Sequence, residues 1–316
     1  MFDNDDEGRY QRQDAAFRDR VRADPDATFS AEPGRYHLYI SRACPWAHGA
    51  VLVRTLLGLE ETITMDVLDP YREERGWQFS PEKSGCTPDT VNGTDYLAEV
   101  YERADPDYDR RPTVPVLWDR ERETIVNNES IEIMRMLATA FEPRRDGPVD
   151  LYPEGRREEI DELVADLYHS VNNGVYRAGF ADSQGAYDEA IDELFAALDR
   201  YEERLADQRY LLGEQLTLAD LRLFATLVRF DTVYHTHFMC NKKRIVDYPN
   251  LWGHTRDIYQ LPGVAETVNM DHIKEHYYRT HPELNPKRIV ARGPDLDFTA
   301  THDREELPGS PPGGLQ

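Results

Sequence analysis

The run Tyr36-His-Leu-Tyr-Ile-Ser-Arg-Ala-Cys44-Pro45-Trp46-Ala47-His48 constrains this chain more than any other stretch. Apolar alternation over 38–40 reads as a short strand. Pro45 then opens a helical pattern that runs through Val51, Leu52, Leu56 and Leu57. Proline is favoured at the first helical position, because its missing N–H would have had no intrahelical acceptor there. Cys44 therefore falls at a helix cap, where amides and the positive end of the macrodipole favour a thiolate. The thiolate is the nucleophilic form, and such settings lower a cysteine's pKa. A lone cysteine is more often a buried structural residue, but this placement favours a reactive one. Ala47 stands where a Cys-x-x-Cys motif has its second thiol, so Cys44 has no resolving partner in its own motif.

The pattern around this run is strand, helix, strand over 36–40, 45–57 and 62–68. Strands at 113–118 and 124–126 and a helix at 131–141 follow, which is the thioredoxin-like order. Pro115 would normally argue against a strand; a cis X-Pro bond at the strand start resolves the conflict. Residues 69–111 are too long for an ordinary connection and read as a loop-rich functional insertion. Residues 144–155 form a Pro/Gly/charge linker. Beyond it the period is helical throughout, at 156–171, 186–206, 218–234, 251–259 and 264–277. Thr217 with Asp220 makes a capping-box start. The expected layout is a surface arm (1–34), a thioredoxin-like α/β domain (35–143), an all-helical domain (156–285) and a tail (286–316), extended or mobile.

Charge narrows the function classes. Among 316 residues, 60 are acidic and 37 basic, a formal net charge of −23. Such a chain repels nucleic acid and anionic membrane. No apolar window is long enough to span a bilayer, and the acidic start is unlike a secretory signal. Three cysteines (Cys44, Cys86 and Cys240) do not make a disulfide scaffold, so a reducing cytoplasm is the expected location. Only Lys83, Lys242, Lys243, Lys274 and Lys287 are lysines. Acid is spread along the whole chain, as on a surface adapted to concentrated salt, where the Debye length falls to about 3 Å at 1 M. A docking surface for a cationic partner is the alternative.

Eight motifs occur in order: Cys44-Pro-Trp-Ala-His, Gly76-Trp77-x-Phe79, Thr113-Val-Pro-Val-Leu-Trp118, Thr124-Ile-Val-Asn-Asn-Glu-Ser130, Gly174-Val-Tyr-Arg-Ala-Gly-Phe180, Arg229-Phe-Asp-x-Val-Tyr234, His237-Phe-x-Cys-Asn241 and His272-Ile-Lys-x-His-Tyr-Tyr278. A thioredoxin-like domain followed by an all-helical one is the glutathione transferase architecture. The motifs together resemble the glutathionyl-hydroquinone reductases, or Xi-class glutathione transferases, over about residues 35–294.

That resemblance implies a reductase acting through a Cys44 mixed disulfide, which needs only one enzyme thiol. By the same resemblance Val114, before cis Pro115, offers its backbone to the peptide of glutathione. Glu129 and Ser130 hold the γ-glutamyl end, and Trp77 packs on the tripeptide. Tyr176 and Tyr277 (or its neighbour Tyr278) approach the aromatic half from the helical domain, where phenols can bond a hydroquinone oxygen. No permanent cofactor or metal goes with the family. The co-substrate is glutathione or, given the salt-adapted surface, γ-glutamylcysteine; the expected partners are that low-molecular-weight thiol and an aromatic thioether. A homodimer is expected from the resemblance.

Other readings remain open at this level. His235, His237 and Cys240 have the spacing of a three-ligand zinc site, and Cys86 could act as a resolving thiol. A general deglutathionylase acting on mixed disulfides and a non-catalytic thiol-binding module are the competing functions. An intact Cys44 at a helix cap argues against the module.

Overall fold

The computed structural model describes residues 3–144, 149–311 and 313. The chain divides into two compact units, one of Asp14–Val149 with Glu266–Thr280, the other of Met1–Gln13, Asp150–Ala265 and His281–Gln316. The division at 149/150 falls inside the linker expected at 144–155, whereas Glu266–Thr280, expected in the helical domain, belongs to the first unit.

The first unit is built on a four-stranded sheet. Its elements are β1 (Tyr36–Ile40), α1 (Pro45–Leu56), β2 (Thr64–Val67), α2 (Leu97–Ala104), β3 (Val116–Asp119), β4 (Thr124–Asn127) and α3 (Ser130–Ala140). The sheet order is β2-β1-β3-β4, with β1/β2 parallel and the other pairs antiparallel. Every residue of β1 is buried, as expected of a strand covered on both faces. In α1 all residues except Trp46 are buried. Gly49 lets α3 approach: a Cβ there would lie 2.5 Å from Met134 Sδ.

Residues 14–34, part of the expected surface arm, are anchored along the sheet. Val21 and Phe29 are buried, and the Asp19 N–H donates to the Val126 carbonyl at 3.0 Å. An antiparallel bridge joins Arg18 to Asn127, so the outer edge of β4 is covered. The stretch 69–111, expected to be loop, contains α2. Its start is fixed by Glu99, whose carboxylate accepts the Tyr96 N–H at 2.8 Å and the Asp95 N–H at 3.0 Å. With only Leu97, Val100 and Tyr101 as its buried set, this short helix offers little periodicity to read.

The second unit is helical: α4 (Arg157–Leu167), α5 (Gly174–Gly179), α6 (Gln184–Arg204), α7 (Leu218–Arg229), α8 (His235–His237) and α9 (Pro249–Tyr259). Single π-helical turns at Tyr168–Asn172 and Phe230–Tyr234 extend α4 and α7. The capping box at Thr217 is present, with its N–H donating to Asp220 at 2.9 Å. Asp220 also accepts from the Leu211 N–H (2.7 Å) and faces His254 Nε2 (3.1 Å).

α10 (Met270–Thr280) is the main departure. The sequence placed its residues in the helical domain, yet they belong to the sheet-bearing unit. The tail also departs from a mobile reading. Arg304 is 1% exposed and donates to the carbonyls of Leu205 (2.8 Å), Gln208 and Arg209 (3.2 Å), while Phe298 packs on Trp252 and Tyr259. Of the expected linker, 145–148 lie outside the described residues, as do 1–2 of the arm and 312 and 314–316 of the tail. Among the described residues no helix is long and apolar enough to cross a membrane.

Candidate active site at the start of helix α1

β1 ends at Ile40, and three residues later Cys44 caps α1 in an extended conformation (φ −77°, ψ 120°) with Pro45 as the first helical residue. The connection is closed by the Cys44 N–H donating to the Ser41 carbonyl (3.0 Å) and the His48 N–H donating to the Cys44 carbonyl (3.1 Å). The thiol takes part in no disulfide and is 8% exposed. Its S–H donates to the Val114 carbonyl at 3.6 Å.

Val114 is brought there by β3. Tyr39 of β1 pairs with Val116, which sets the residues preceding Val116 beside the end of β1. The Val114–Pro115 bond is cis, and the strand starts one residue later. Pro115 therefore precedes the ladder and removes no hydrogen bond from it. Among the described residues, no hydrogen bond uses the Val114 N–H.

The third part is the start of α3. Glu129 is its cap, with the carboxylate 3.4 Å from the Ile131 N–H, and Ser130 is buried as the first helical residue. Asn127 Oδ1 accepts the Glu129 N–H (2.7 Å), and its Nδ2 donates to Asp19 O and Glu132 Oε2 (2.9 Å each). Burial pushes the Glu132 carboxyl up, but bonds from Arg18 (2.5 and 2.8 Å) and Asn127 and the charges of Arg18 and Arg20 outweigh it, holding the group at about 2. A helix start is a natural seat for a ligand carboxylate.

Trp77 is buried, and one face of its indole is stacked on His276 (5.1 Å between centroids, 15°). That stack is one part of a clasp between the insertion and α10. His276 Nδ1 lies 2.7 Å from Pro70 O, and His272 Nε2 2.8 Å from Ser84 O. Lys83 pairs with Asp69 (2.6 Å) and Glu275 (2.9 Å). Arg279 sits 4.5 Å over the Tyr71 ring. The segment leading into α10 is held near α1 by His48 Nε2 to Thr267 Oγ1 (2.8 Å) and by Arg42 donating to Glu266 O (2.8 Å). Tyr277, 1% exposed, thus comes from the sheet-bearing unit rather than the helical one, its ring edge-on to His276. Tyr278 is buried as well, and burial raises its phenol pKa.

Cys44, Trp77, Val114, Pro115, Glu129, Ser130 and Tyr277 therefore share one unit. Tyr176 belongs to the other. There it is enclosed by Phe180, Tyr234 and Phe238, with the Arg12 guanidinium 4.7 Å over its ring.

The remaining cysteines lie in other surroundings. Burial, then the charge of Asp69, pushes the Cys86 thiol up to about 11, despite Lys83. Burial alone raises Cys240, whose S–H points to the carbonyls of Val175 and Phe238. Among the described residues, no group of three His, Cys, Asp or Glu side chains could hold a metal ion. Sequence reasoning assigned nothing to His48, His276 or Tyr101. The four-residue spacing of His272 and His276 was the available signal, since it places both on one helix face.

A glutathione S-transferase N-terminal domain model matches residues 43–140, and the corresponding C-terminal domain model matches 184–257. The glutathionyl-hydroquinone reductase YqjG of Escherichia coli is 51% identical, covering 94% of this chain and 93% of its own. PcpF of Sphingobium chlorophenolicum, of the same description, is 49% identical, covering 91% and 90%. Among solved structures, a Xi-class transferase from Natrialba magadii is 59% identical with a TM-score of 0.92, covering 96% and 97%. The glutathione-bound structure of YqjG has a TM-score of 0.88 at 51% identity, covering 92% and 96%. The chain belongs to the glutathionyl-hydroquinone reductase family, the Xi class of the glutathione transferases.

Proposed function

We propose that the protein is a thiol-dependent reductase that removes glutathione, or γ-glutamylcysteine, from S-conjugated hydroquinones through Cys44. The observation that carries this is a lone thiol at the N-terminus of α1, 3.6 Å from the carbonyl before a cis proline, in a chain about half identical to glutathionyl-hydroquinone reductases.

In the first step the Cys44 thiolate attacks the conjugate's sulfur. A Cys44–S–S–glutathione bond forms, the carbon–sulfur bond breaks, and its electron pair leaves with the ring carbon, which takes up a proton. In the second step a free thiol attacks the mixed disulfide, giving the oxidised thiol dimer and regenerating Cys44. Val114 offers backbone N–H and C=O to the cysteinyl peptide. Glu129 and Ser130 take the γ-glutamyl ammonium and carboxylate at the start of α3, and Trp77 packs on the tripeptide. Tyr176 and Tyr277 carry the phenols assigned to the aromatic half. The acid-rich surface suits a salt-rich cytoplasm, and the family resemblance suggests a homodimer.

Incubation with a glutathionyl-hydroquinone and free thiol tests the reading. Hydroquinone release that vanishes in Cys44→Ala, with a thiol adduct on Cys44 by mass spectrometry, is expected. Release undiminished in that variant would overturn it. Running the assay with glutathione and with γ-glutamylcysteine decides the co-substrate, and sedimentation decides the oligomeric state.

A further inference from the structure

Tyr101, on α2 inside the insertion, is 0% exposed, and its hydroxyl lies between the two loops assigned to the thiol ligand. It donates to the Thr113 carbonyl at 2.8 Å, and it accepts from the Thr113 N–H at 3.3 Å and from Asn128 Nδ2 at 3.1 Å. A phenol has one proton and two lone pairs, so these bonds use its full capacity. Thr113 immediately precedes Val114, and Asn128 immediately precedes Glu129. One oxygen thus ties the backbone that would pair with the cysteinyl peptide to the cap that would hold the γ-glutamyl end.

The tie is reinforced on each side. Asn128 Nδ2 also reaches Thr113 Oγ1 at 3.3 Å. Asn128 Oδ1 accepts the Phe17 N–H (3.0 Å), and the Asn128 N–H donates to Phe17 O (3.1 Å). The Tyr101 ring is held by Tyr108 (4.7 Å) and by the edge of Phe17 (5.8 Å). The hydroxyl is therefore fixed by two segments and the ring by Phe17 and Tyr108, and none of these includes Cys44.

We propose that Tyr101 is a positioning residue that sets the spacing between the Val114 and Glu129 loops, and with it affinity for thiols carrying a γ-glutamyl-cysteinyl unit. This rests on the reading of the site given above. A ligand that spans both loops needs them at one separation, and an error in either place is felt along its whole length. Because both loops would serve the γ-glutamyl-cysteinyl part, glutathione and γ-glutamylcysteine should depend on Tyr101 equally. Attack by Cys44 on a small neutral electrophile should not depend on it.

The test is Tyr101→Phe, which keeps the ring and removes the oxygen. KM for glutathione and Kd for S-methylglutathione are expected to rise about tenfold, equivalent to about 1.4 kcal/mol. The single-turnover rate at saturation and the rate of Cys44 alkylation by iodoacetamide should stay within about twofold. Wild-type affinity in this variant would overturn the inference even if its melting temperature falls. Should the variant not fold, Asn128→Ala cuts the same tie from the other loop and is expected to lose similar affinity; unchanged affinity there is equally fatal. A wild-type protein that binds neither thiol overturns the reading of the site, and this inference with it. Thiol binding in wild type that is unmoved in the variants overturns the inference alone.

Discussion

The edge around Cys44 and the clasp around α10 lie in the same unit, yet they are held by different physics. At the Cys44 edge, position is set by the backbone: a strand ending at Ile40, a proline at the first helical residue, and a strand pair that registers Val116 on Tyr39. At the clasp, position is set by side chains reaching across about 200 residues of sequence: Trp77 on His276, Lys83 on Glu275, and His272 on the Ser84 carbonyl. Backbone devices leave local signatures; long-range side-chain pairs leave almost none. The comparison also predicts that the two regions fail differently, the first in chemistry and the second in stability.

The largest effect should therefore be chemical. Cys44→Ala is expected to cut turnover by about three orders of magnitude or more, as loss of a covalent nucleophile does, with the thermal midpoint moving by only a degree or two. The measurement is hydroquinone release beside a calorimetric scan. Alkylation sharpens the point: iodoacetamide at pH 7 should modify Cys44 well ahead of Cys86, whose thiol sits at about 11, and of Cys240, which burial raises further. Labelling led by Cys86 would break the claim that the helix start, rather than mere presence of a thiol, sets reactivity.

Trp77→Ala should act on stability, beside any loss of thiol affinity from the tripeptide contact proposed above. It removes a buried indole and the stack on His276, so a loss of about 3–5 kcal/mol is expected, as for other large-to-small changes in a core. Amide exchange should accelerate first in α10, because the insertion is what holds that helix here. Exchange that rises uniformly through the chain would show that the clasp is not a separate device.

How far the sequence could be read follows the same line. Pro45 at the helix start, the cis bond before Pro115 and the capping box at Thr217 are each decided within a few residues and are found as expected, although the strand expected at 113–118 begins at Val116. The element order of the sheet was legible for the same reason. α10 was not: its helical period says that it is a helix, but nothing in the period says which unit it packs on. The partners that decide this lie in an insertion whose own short helix has three buried apolar residues. Tyr101 was invisible for a related reason. Its ring reads as ordinary core, and the value of its hydroxyl lies in joining two loops, 12 and 27 residues further along the chain, that no local pattern links to it. Buried Arg304 was masked by a Pro/Gly-rich tail that looks free.

Glu132, in the first turn of α3, gives an effect of intermediate size and shows that side-chain bonds also support the Cys44 edge. It braces the start of α3 through Asn127 and Arg18, and its carboxyl is held at about 2 against an ordinary 4.5. A depressed folded-state pKa gives stability that is fully present above the unfolded value and lost as pH falls toward the folded one. Urea unfolding should therefore weaken between about pH 4.5 and 2 by roughly 2–3 kcal/mol, a figure reduced for the exposure of Arg18. Glu132→Gln should flatten that part of the profile and lower stability at pH 7. A variant that keeps the wild-type acid slope would place the slope in other carboxylates.

The smallest effect expected belongs to Lys83, the charged element of the clasp. Its ammonium is paired with Asp69 and Glu275, but it remains 30% exposed. Burial opposes its charge, and the hydrogen bonds to Asp69 and Glu275 more than offset this, so its pKa lies above the ordinary lysine value. Partly exposed pairs of this kind are worth about 1 kcal/mol or less. Lys83→Met keeps most of the stem and removes the charge, so a loss of under about 1 kcal/mol is expected, shrinking further as salt rises and the Debye length shortens. On a chain carrying −23, the direction of the salt effect is the informative part. Molar salt should stabilise the wild type by screening repulsion among its carboxylates while narrowing its gap to the variant. A gap that widens with salt would mean that Lys83 acts through its packed stem rather than through its charge.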